Sequence, residues 1–195
     1  MSIILNLHRM SVVLNGETLT IEEVARIARG RERVQIAETA RENLKVSRAF
    51  VDRMVAENRV VYGITTGFGQ FKNVAISPDQ TATLQANLIR SHATGVGEPL
   101  SEEAVRASIV VRVNSLLRGH SGIRALVVDA LVDLLNRDVY PFVPSKGSVG
   151  SSGDLAPLSH IMLVLMGEGE VLVDGKRRPT MEVLREKGLG TVVLM

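Results

Sequence analysis

The sequence predicts a mainly α-helical protein with short β-hairpins. Several long stretches carry apolar residues at helical spacing, and most of them begin with a capping signal. Asn15-Gly16 and Asp174-Gly175 are turn dipeptides of the kind that join hairpin strands. Aromatic residues make up only 3% of the chain and Trp is absent, so the core must be aliphatic. With 195 residues, no internal repeat and no low-complexity linker, we expect a single domain over 1–195.

The first part of the chain predicts a hairpin followed by two helices. The hairpin is expected over Ser11–Thr18, where Asn15-Gly16 lies between apolar stretches. Thr20 and Glu23 have the spacing of a capping box, which predicts a helix that ends near Gly30. A longer helix is expected over Ile36–Asn58. Its predicted apolar face comprises Leu44, Val46, Ala49, Phe50, Val51, Met54 and Val55.

The middle of the chain predicts a strand, a loop and three helices. Arg59–Tyr62 is expected to be a strand, and Gly63–Gly69 a glycine-rich loop. Ser77 precedes a proline and a glutamine at capping positions, so a helix should run from there to about His92. The next helix is expected from Ser101 to a stop at Gly119, with acidic residues in its first turn. Ile123–Asn136 is apolar on more than one face and should be a buried helix.

The last part of the chain begins with an irregular segment. Prolines and glycines interrupt any regular pattern over Tyr140–Gly153. Asp154 is expected to cap a helix that runs to Met166. A second hairpin is expected over Glu170–Lys176, and Thr180 should cap a short final helix that ends at Gly188.

Composition argues against several classes of partner. The net charge is only +2, and the densest basic run, Lys176-Arg177-Arg178, adjoins a turn, so we interpret it as a solvated turn and expect no nucleic-acid partner. No apolar run reaches transmembrane length, so no membrane partner is expected. Met1–Leu14 carries His8 and Arg9 and lacks the features of a signal peptide.

The residue types also bear on redox compartment and metals. The absence of Cys excludes disulfides and thiolate metal sites, and it fits a reducing compartment, so we expect a cytoplasmic location. The histidines show no metal-ligand spacing and no acidic cluster joins them, so no metal is expected. They are His8, His92, His120 and His160.

Gly147–Leu158 is the segment with the most unusual chemistry. It reads Gly-Ser-Val-Gly-Ser-Ser-Gly-Asp-Leu-Ala-Pro-Leu and leads directly into an apolar helix. The residues alone allow a flexible linker, a phosphate-binding loop at a helix N-terminus, or a segment that builds its own cofactor. A linker would stay polar on both sides, and a phosphate-binding loop usually has Lys after its last glycine.

The segment resembles the cofactor-forming motif of the histidine and phenylalanine ammonia-lyase family. That motif is usually written Gly-Ser-Val-Gly-Ala-Ser-Gly-Asp-Leu-Ala-Pro-Leu, and eleven of its twelve positions match here. Ser151 is the departure, since most members have Ala at that position. Three other stretches also resemble the family and lie in its order, so the resemblance covers most of the chain after Val60. They are Tyr62–Gly69, Asn87–Gly97 and Arg112–Arg124.

The resemblance implies a fold and a cofactor. It implies the N-terminal, cofactor-bearing portion of a longer ammonia-lyase with the helical fold of fumarase and aspartase, without the C-terminal helical bundle. It also implies a 4-methylidene-imidazol-5-one (MIO) ring made autocatalytically, with no metal. In the implied chemistry, the Gly153 nitrogen attacks the Ser151 carbonyl, whose oxygen leaves as one water, and Ser152 loses a second water to supply the methylidene carbon. The Ser151 side chain only decorates this ring, so cyclisation should survive there.

The resemblance further implies roles for Tyr62 and His92. A lone Tyr after a strand is ordinarily a core residue, but the resemblance makes Tyr62 a catalytic acid or base. A lone His at a helix end is ordinarily a capping residue, but the resemblance makes His92 a substrate-binding residue. Members that act on histidine or tyrosine tend to carry His at this position. Gly119–Gly122 contains a further histidine, and we interpret it as a turn between helices.

These implications lead to one main hypothesis and two alternatives. The main hypothesis is a histidine ammonia-lyase, a carbon–nitrogen lyase of histidine degradation that converts L-histidine to urocanate and ammonia. A tyrosine ammonia-lyase or tyrosine 2,3-aminomutase would use the same electrophile. The alternative of another class is a catalytically incomplete fragment or assembly subunit, because family members are longer and place their active sites between subunits of a homotetramer. The 195-residue chain alone is therefore expected to be inactive.

Overall fold

A computed structural model describes residues 11–57, 59–66, 78–148, 150 and 155–194, with backbone only for 78–81. The first ten residues, residues 67–69 of the predicted loop, the predicted helix starts at Ser77 and Asp154, and Ser151, Ser152 and Gly153 lie outside the described residues. The helices are α1 Ile21–Ala28, α2 Glu38–Ala56, α3 Pro78–His92, α4 Glu102–Leu116, α5 Ala125–Asn136, α6 Leu155–Leu165 and α7 Thr180–Glu186. The strands are β1 Ser11–Leu14, β2 Arg33–Ile36, β3 Val96–Pro99, β4 Tyr140–Pro141, β5 Pro144–Lys146, β6 Glu170–Val173 and β7 Lys176–Pro179.

The predicted hairpin at Asn15-Gly16 is wrong. β1 pairs in parallel with β2, and α1 forms the crossover between them. The Asn15 side chain instead accepts the amides of Glu17 and Thr18, and the Gly16 amide donates to the Asn114 side chain of α4. The turn therefore directs the chain into α1 and against α4.

The capping box at α1 is confirmed, whereas the predicted face of α2 is too wide. The Thr20 side chain accepts the Glu23 amide while the Glu23 carboxylate accepts the Thr20 amide. On α2, Leu44 and Met54 are buried, but Val46 and Phe50 are 72% and 51% exposed. Helical periodicity predicts the helix, but it does not indicate how much of the helix surface the rest of the fold covers.

The core is an aliphatic cluster centred on α4 and α5, as the composition indicated. It extends from Val12 on β1 to Val192 near the C-terminal end of the chain. Arg106 lies within it at 1% exposure and donates to the carbonyl oxygens of Ile27 and Leu135 and to the Asp138 carboxylate. Ile27 and Leu135 lie in the last turns of α1 and α5, so one cation satisfies two helix C-terminal ends.

The outer edge of β2 is occupied by a side chain. The Asn136 side chain accepts the Val34 amide at 2.9 Å and donates to the Val34 carbonyl at 2.9 Å. This pair of bonds joins the end of α5 to β2 and reproduces the pattern of a neighbouring strand.

The predicted hairpin around Asp174-Gly175 is confirmed, and β4 adds to it as a third strand. Arg177 lies beside Glu170 and stacks on Phe142. Arg178 donates through both terminal nitrogens to the Glu186 carboxylate, so the basic run has acidic partners. The prediction that Thr180 caps the last helix is wrong. Pro179 is the N-cap residue, and Thr180 is the first helical residue, buried at 1% exposure.

Residues 59–62 were predicted to form a strand, and this prediction is also wrong. They enter a turn through Gly63 and Ile64 that is closed by bonds from the amides of Ile64 and Thr65 to the Val61 carbonyl. β3, which was not predicted, pairs with β5 in antiparallel fashion. Val60 and Val96 are both well exposed, so neither segment shows the buried apolar alternation that identifies a strand.

Candidate active site

Tyr62 lies in a turn that two threonine hydroxyls hold together. The Thr65 hydroxyl accepts the Val61 amide at 2.9 Å and donates to the Arg59 carbonyl at 2.5 Å. The buried Thr66 hydroxyl accepts the Gly63 amide at 3.4 Å. Tyr62 itself is 63% exposed at the surface of this turn.

A cleft of about 470 Å³ adjoins the Tyr62 turn. Its lining includes Gly63 and Ile64 of the turn and the ion pair that Arg48 and Asp52 form on α2. Other residues that line the cleft are Val51, Val55, Ala56, Gln85, Ser121 and Gly122. The cleft places the sequence neighbours of Tyr62 beside a mixed apolar and charged surface.

The turn at Gly119–Gly122 contributes to the lining of this cleft, and the prediction of a turn between two helices is confirmed. The Gly122 amide donates to the Ser47 hydroxyl at 2.8 Å, and the Arg48 guanidinium donates to the Gly122 carbonyl. His120 lies exposed in the turn. These bonds fasten the α4–α5 connection to α2.

His92 is the last residue of α3, and one of its ring nitrogens is bound to its own helix. Its Nδ1 lies 2.8 Å from the Leu88 carbonyl oxygen, which can only accept a hydrogen bond, so Nδ1 carries a proton. Ser91 also donates to the Leu88 carbonyl. Because Nδ1 is engaged in this way, Nε2 is the nitrogen through which His92 would bind a ligand.

An ion pair joins the His92 helix to the region after α6. Arg90 donates through Nε and Nη2 to the two carboxylate oxygens of Glu168, at 2.9 and 2.5 Å. This forked hydrogen bonding lowers the pKa of Glu168 below its ordinary value. α3 is thereby tied to α6, the helix that begins directly after the Ser-Ser-Gly segment.

The two ends of the Ser-Ser-Gly segment lie next to each other. Gly147 follows β5, Ala156 is in the first turn of α6, and a Cβ placed on Gly147 would lie 3.6 Å from the Ala156 Cβ. The same Cβ would lie 2.8 Å from the Cα of Gly95, and Gly147 has φ +141°. Both the close approach and the backbone conformation thus require glycine at this position.

Gly95 contacts both flanks of the segment at once. Its amide donates to Nε2 of His160 on α6 at 3.0 Å. A Cβ placed on Gly95 would lie 3.1 Å from the Cβ of Pro144 and 3.2 Å from the carbonyl oxygen of Lys146, both on β5. Burial lowers the pKa of His160 below its ordinary 6.5, which favours the neutral ring that can accept this bond.

The structure therefore brings His92 and the flanks of Ser151–Gly153 into one region, because Gly95 is three residues beyond His92. Tyr62 is held by the separate set of turn contacts described above. Sequence reasoning did not assign roles to Thr65, Gly95 or His160. All three lie in or next to family-like stretches, and only the fold reveals their contacts.

Metal-binding clusters and membrane-spanning helices are absent from the described ranges. Within them, no group of three or more histidine and acidic side chains could hold a metal ion. No helix in the part of the chain that the structure describes is long and apolar enough to cross a membrane.

Comparison with curated proteins finds close relatives among ammonia-lyases. The chain is 49% identical over 183 residues to a histidine ammonia-lyase of Caldanaerobacter subterraneus subsp. tengcongensis. This alignment covers 94% of the chain and 36% of the relative, so the chain spans about a third of the length of the curated relatives it matches.

Solved structures share the fold. The chain matches an ergothionase from Treponema denticola with a TM-score of 0.91 and 34% identity, covering 95% of this chain and 37% of that one. For a tyrosine aminomutase from Streptomyces globisporus the TM-score is 0.88 and the identity 38%, and for a histidine ammonia-lyase from Trypanosoma cruzi they are 0.86 and 38%. Both of these alignments cover 95% of this chain and 35% of the other.

The family model agrees with these matches. The mainly helical fold resembles that of ammonia-lyases and aminomutases, as the sequence predicted. The model for aromatic amino acid lyases matches residues 19–195, which is most of the chain. The chain therefore belongs to the aromatic amino acid lyase family.

Proposed function

We propose that this chain forms the N-terminal, cofactor-bearing part of a histidine ammonia-lyase, which converts L-histidine to urocanate and ammonia. The observation that carries the proposal is the 49% identity to a histidine ammonia-lyase across 183 residues that include His92 and the Ser-Ser-Gly segment. Because the chain spans about a third of such relatives, the activity is proposed for the whole enzyme. It is proposed to act in the cytoplasm.

The proposed cofactor is the MIO ring formed from Ser151, Ser152 and Gly153. These residues lie outside the described part of the chain, but the residues that flank them fit such a group. Gly147 and Ala156 lie close enough to bring the ends of the segment together, which shortens the span that ring closure must bridge. Once formed, the ring supplies a strong electrophile, which ordinary side chains lack.

His92 is the proposed substrate-binding residue. Since its Nδ1–H donates to Leu88, its Nε2 can accept a hydrogen bond from a polar ring such as imidazole or phenol. This geometry supports a polar aromatic substrate and leaves histidine and tyrosine as the candidates. The tyrosine alternative, as ammonia-lyase or 2,3-aminomutase, is supported by the likeness to the tyrosine aminomutase of Streptomyces globisporus.

Tyr62 is the proposed catalytic acid or base. Its ring is exposed on a turn whose residues Gly63 and Ile64 line the cleft, and the Thr65 and Thr66 hydroxyls accept the backbone amides of the residues on either side. A proton-transfer group must be held within hydrogen-bond reach of the substrate, and a fixed turn meets that need better than a mobile one.

We further propose that the enzyme assembles as a homo-oligomer, a tetramer at full length. Exposed apolar side chains on separate helices support this, since monomers rarely leave such residues uncovered in numbers. Examples are Val46, Phe50, Val111 and Leu155. Sedimentation of the whole enzyme at several concentrations tests the proposal, and a monomer at every concentration would contradict it.

The experiment for the function combines the intact mass of the purified chain with product assays on both the chain and the whole enzyme that contains it. A deficit of two water molecules, mapped to a peptide containing Ser151–Gly153, is expected in the wild type and should disappear in Ser152→Ala. Tyr62→Phe should keep the deficit and should abolish turnover by the whole enzyme, which separates ring formation from catalysis.

Each outcome of the product assays identifies one function. Urocanate from L-histidine supports the leading proposal, coumarate from L-tyrosine supports a tyrosine ammonia-lyase, and β-tyrosine supports the aminomutase. Ergothioneine belongs in the same panel because of the structural match to an ergothionase. A mass deficit without any product supports the catalytically incomplete fragment. An unmodified mass contradicts ring formation in this chain.

A further inference from the structure

Gly95 occupies a position that links three elements around the Ser-Ser-Gly segment. It contacts β5, which precedes the segment, and His160 of α6, which follows it. It also follows α3 directly, since His92 is three residues earlier. The single hydrogen bond from the Gly95 amide to His160 therefore joins the substrate-binding end of α3 to the helix that bounds the segment.

We propose that His160 is a positioning residue, whose neutral imidazole accepts the Gly95 amide and thereby fixes the separation between the two ends of the ring-forming segment. The proposal rests on the proposed function, because it concerns closure of the ring from Ser151, Ser152 and Gly153. His160 is proposed to act through Gly95 and not on the reacting atoms themselves.

Steric contacts show how closely this junction is packed. A Cβ on Gly95 would lie 3.0 Å from Nε2 of His160, and a Cβ on Gly147 would lie 2.8 Å from the Cα of Gly95. With no side chain at either glycine, the backbone before the segment, the Gly95 loop and His160 approach directly. Displacement of His160 would consequently shift α6 relative to β5.

The chemistry of ring closure explains why that separation matters. Closure requires a poorly nucleophilic amide nitrogen to reach a backbone carbonyl, so the rate depends on how often the chain places them together. Fixing the ends of a short segment removes many of its unproductive conformations before reaction. The Arg90–Glu168 pair joins α3 to the residues after α6, at the end of α6 away from the segment, so the Gly95 bond is the one that lies beside the segment.

The test compares two replacements of His160 with a control on the same helix. His160→Gln keeps an acceptor near the position of Nε2, whereas His160→Leu fills similar space without one. Met162→Ala is the control, because Met162 lies on α6, is half-buried and packs against the core, but is not part of the Gly95 junction. Two quantities are measured in the purified chain: the rate at which the mass deficit develops, and hydrogen exchange at the Gly95 amide.

We expect His160→Leu to slow ring formation about tenfold and to speed Gly95 exchange by a similar factor, as loss of one hydrogen bond predicts. His160→Gln and Met162→Ala should stay near wild type in both. If ring formation in His160→Leu matches the wild type, the positioning role is overturned, whatever happens to exchange.

Failure of the cofactor proposal is distinguishable from failure of this inference. A wild-type chain without the mass deficit contradicts ring formation, and the Gly95 exchange rates then decide the junction alone. Faster exchange confined to His160→Leu would still support His160 as the residue that fixes Gly95. Equal exchange in all variants would overturn it.

Discussion

Replacing Arg106 by Met should destabilise the fold by about 3 kcal/mol. The guanidinium is 1% exposed and supplies the Ile27 and Leu135 carbonyls with donors. Leaving a buried acceptor unsatisfied costs about 1–3 kcal/mol, so two give about 2–6 kcal/mol. Removal of a buried charge offsets part of that cost, which brings the expected value toward the lower half of the range.

Urea denaturation followed by circular dichroism measures this change. With a slope of about 2 kcal/mol per molar urea, the midpoint should fall by about 1.5 M. Arg112→Met is the matched control, since Arg112 is exposed on the same helix, and its change should stay within about 0.5 kcal/mol. A midpoint for Arg106→Met no lower than that of the control would refute the view that this cation holds two helix ends.

Three further predictions concern single side chains. Burial holds the pKa of His160 below 6.5, so its contribution to stability is fully present above pH 6.5 and is lost as pH falls through the folded pKa. His160→Gln should remove that part of the pH dependence of the urea midpoint. A difference between the wild-type and variant midpoints that stays constant with pH would contradict this prediction. Thr65→Val removes a hydroxyl that bonds Val61 and Arg59, so exchange at the Val61 amide should rise about tenfold while Thr65→Ser stays near wild type. Within the described residues the buried Thr180 hydroxyl has no hydrogen-bond partner, so Thr180→Val should stabilise by about 1 kcal/mol in thermal unfolding, and a lower melting temperature would count against this account.

A second group contributes to the pH dependence of stability in the same direction as His160. Glu168 also titrates, because Arg90 lowers its pKa and its contribution is lost as pH falls through that lowered value. Both wild type and His160→Gln contain this pair. The difference between their urea midpoints at each pH therefore isolates the imidazole.

Local chemistry made some elements predictable from the sequence. The Thr20–Glu23 box specifies its own hydrogen bonds within one turn, so the start of α1 could be identified without knowledge of the rest of the fold. The Asp174-Gly175 hairpin was equally local, since its strands pair directly across the turn. The aliphatic core on α4 and α5 followed from the density of apolar residues.

Other elements depended on partners distant in the chain. Asn15-Gly16 has the composition of a hairpin turn, but Asn114 takes the Gly16 amide and β1 finds its partner across α1. No local pattern reports such a choice. Phe50 matched the period of α2 and still lies half-exposed, because periodicity does not show which surfaces the fold covers.

The candidate site also combines features that local sequence identifies with contacts that only the fold reveals. Tyr62 and His92 could be singled out because they lie in family-like stretches, and the structure adds the threonine hydroxyls and the ring nitrogen that position them. The Gly95–His160 bond joins residues 65 positions apart, which sequence spacing alone could not reveal. The roles of Ser151, Ser152 and Gly153 stay predictions for the mass experiment.

The bonds between Asn136 and Val34 have a consequence for how this chain behaves in concentrated solution. A two-stranded sheet with an open edge offers its amides and carbonyls to the strands of other molecules, which begins aggregation. At Val34 the amide and carbonyl are both already bound by one carboxamide, so that position cannot accept an incoming strand. A single asparagine at the end of α5 thus blocks intermolecular β-pairing at the centre of this edge.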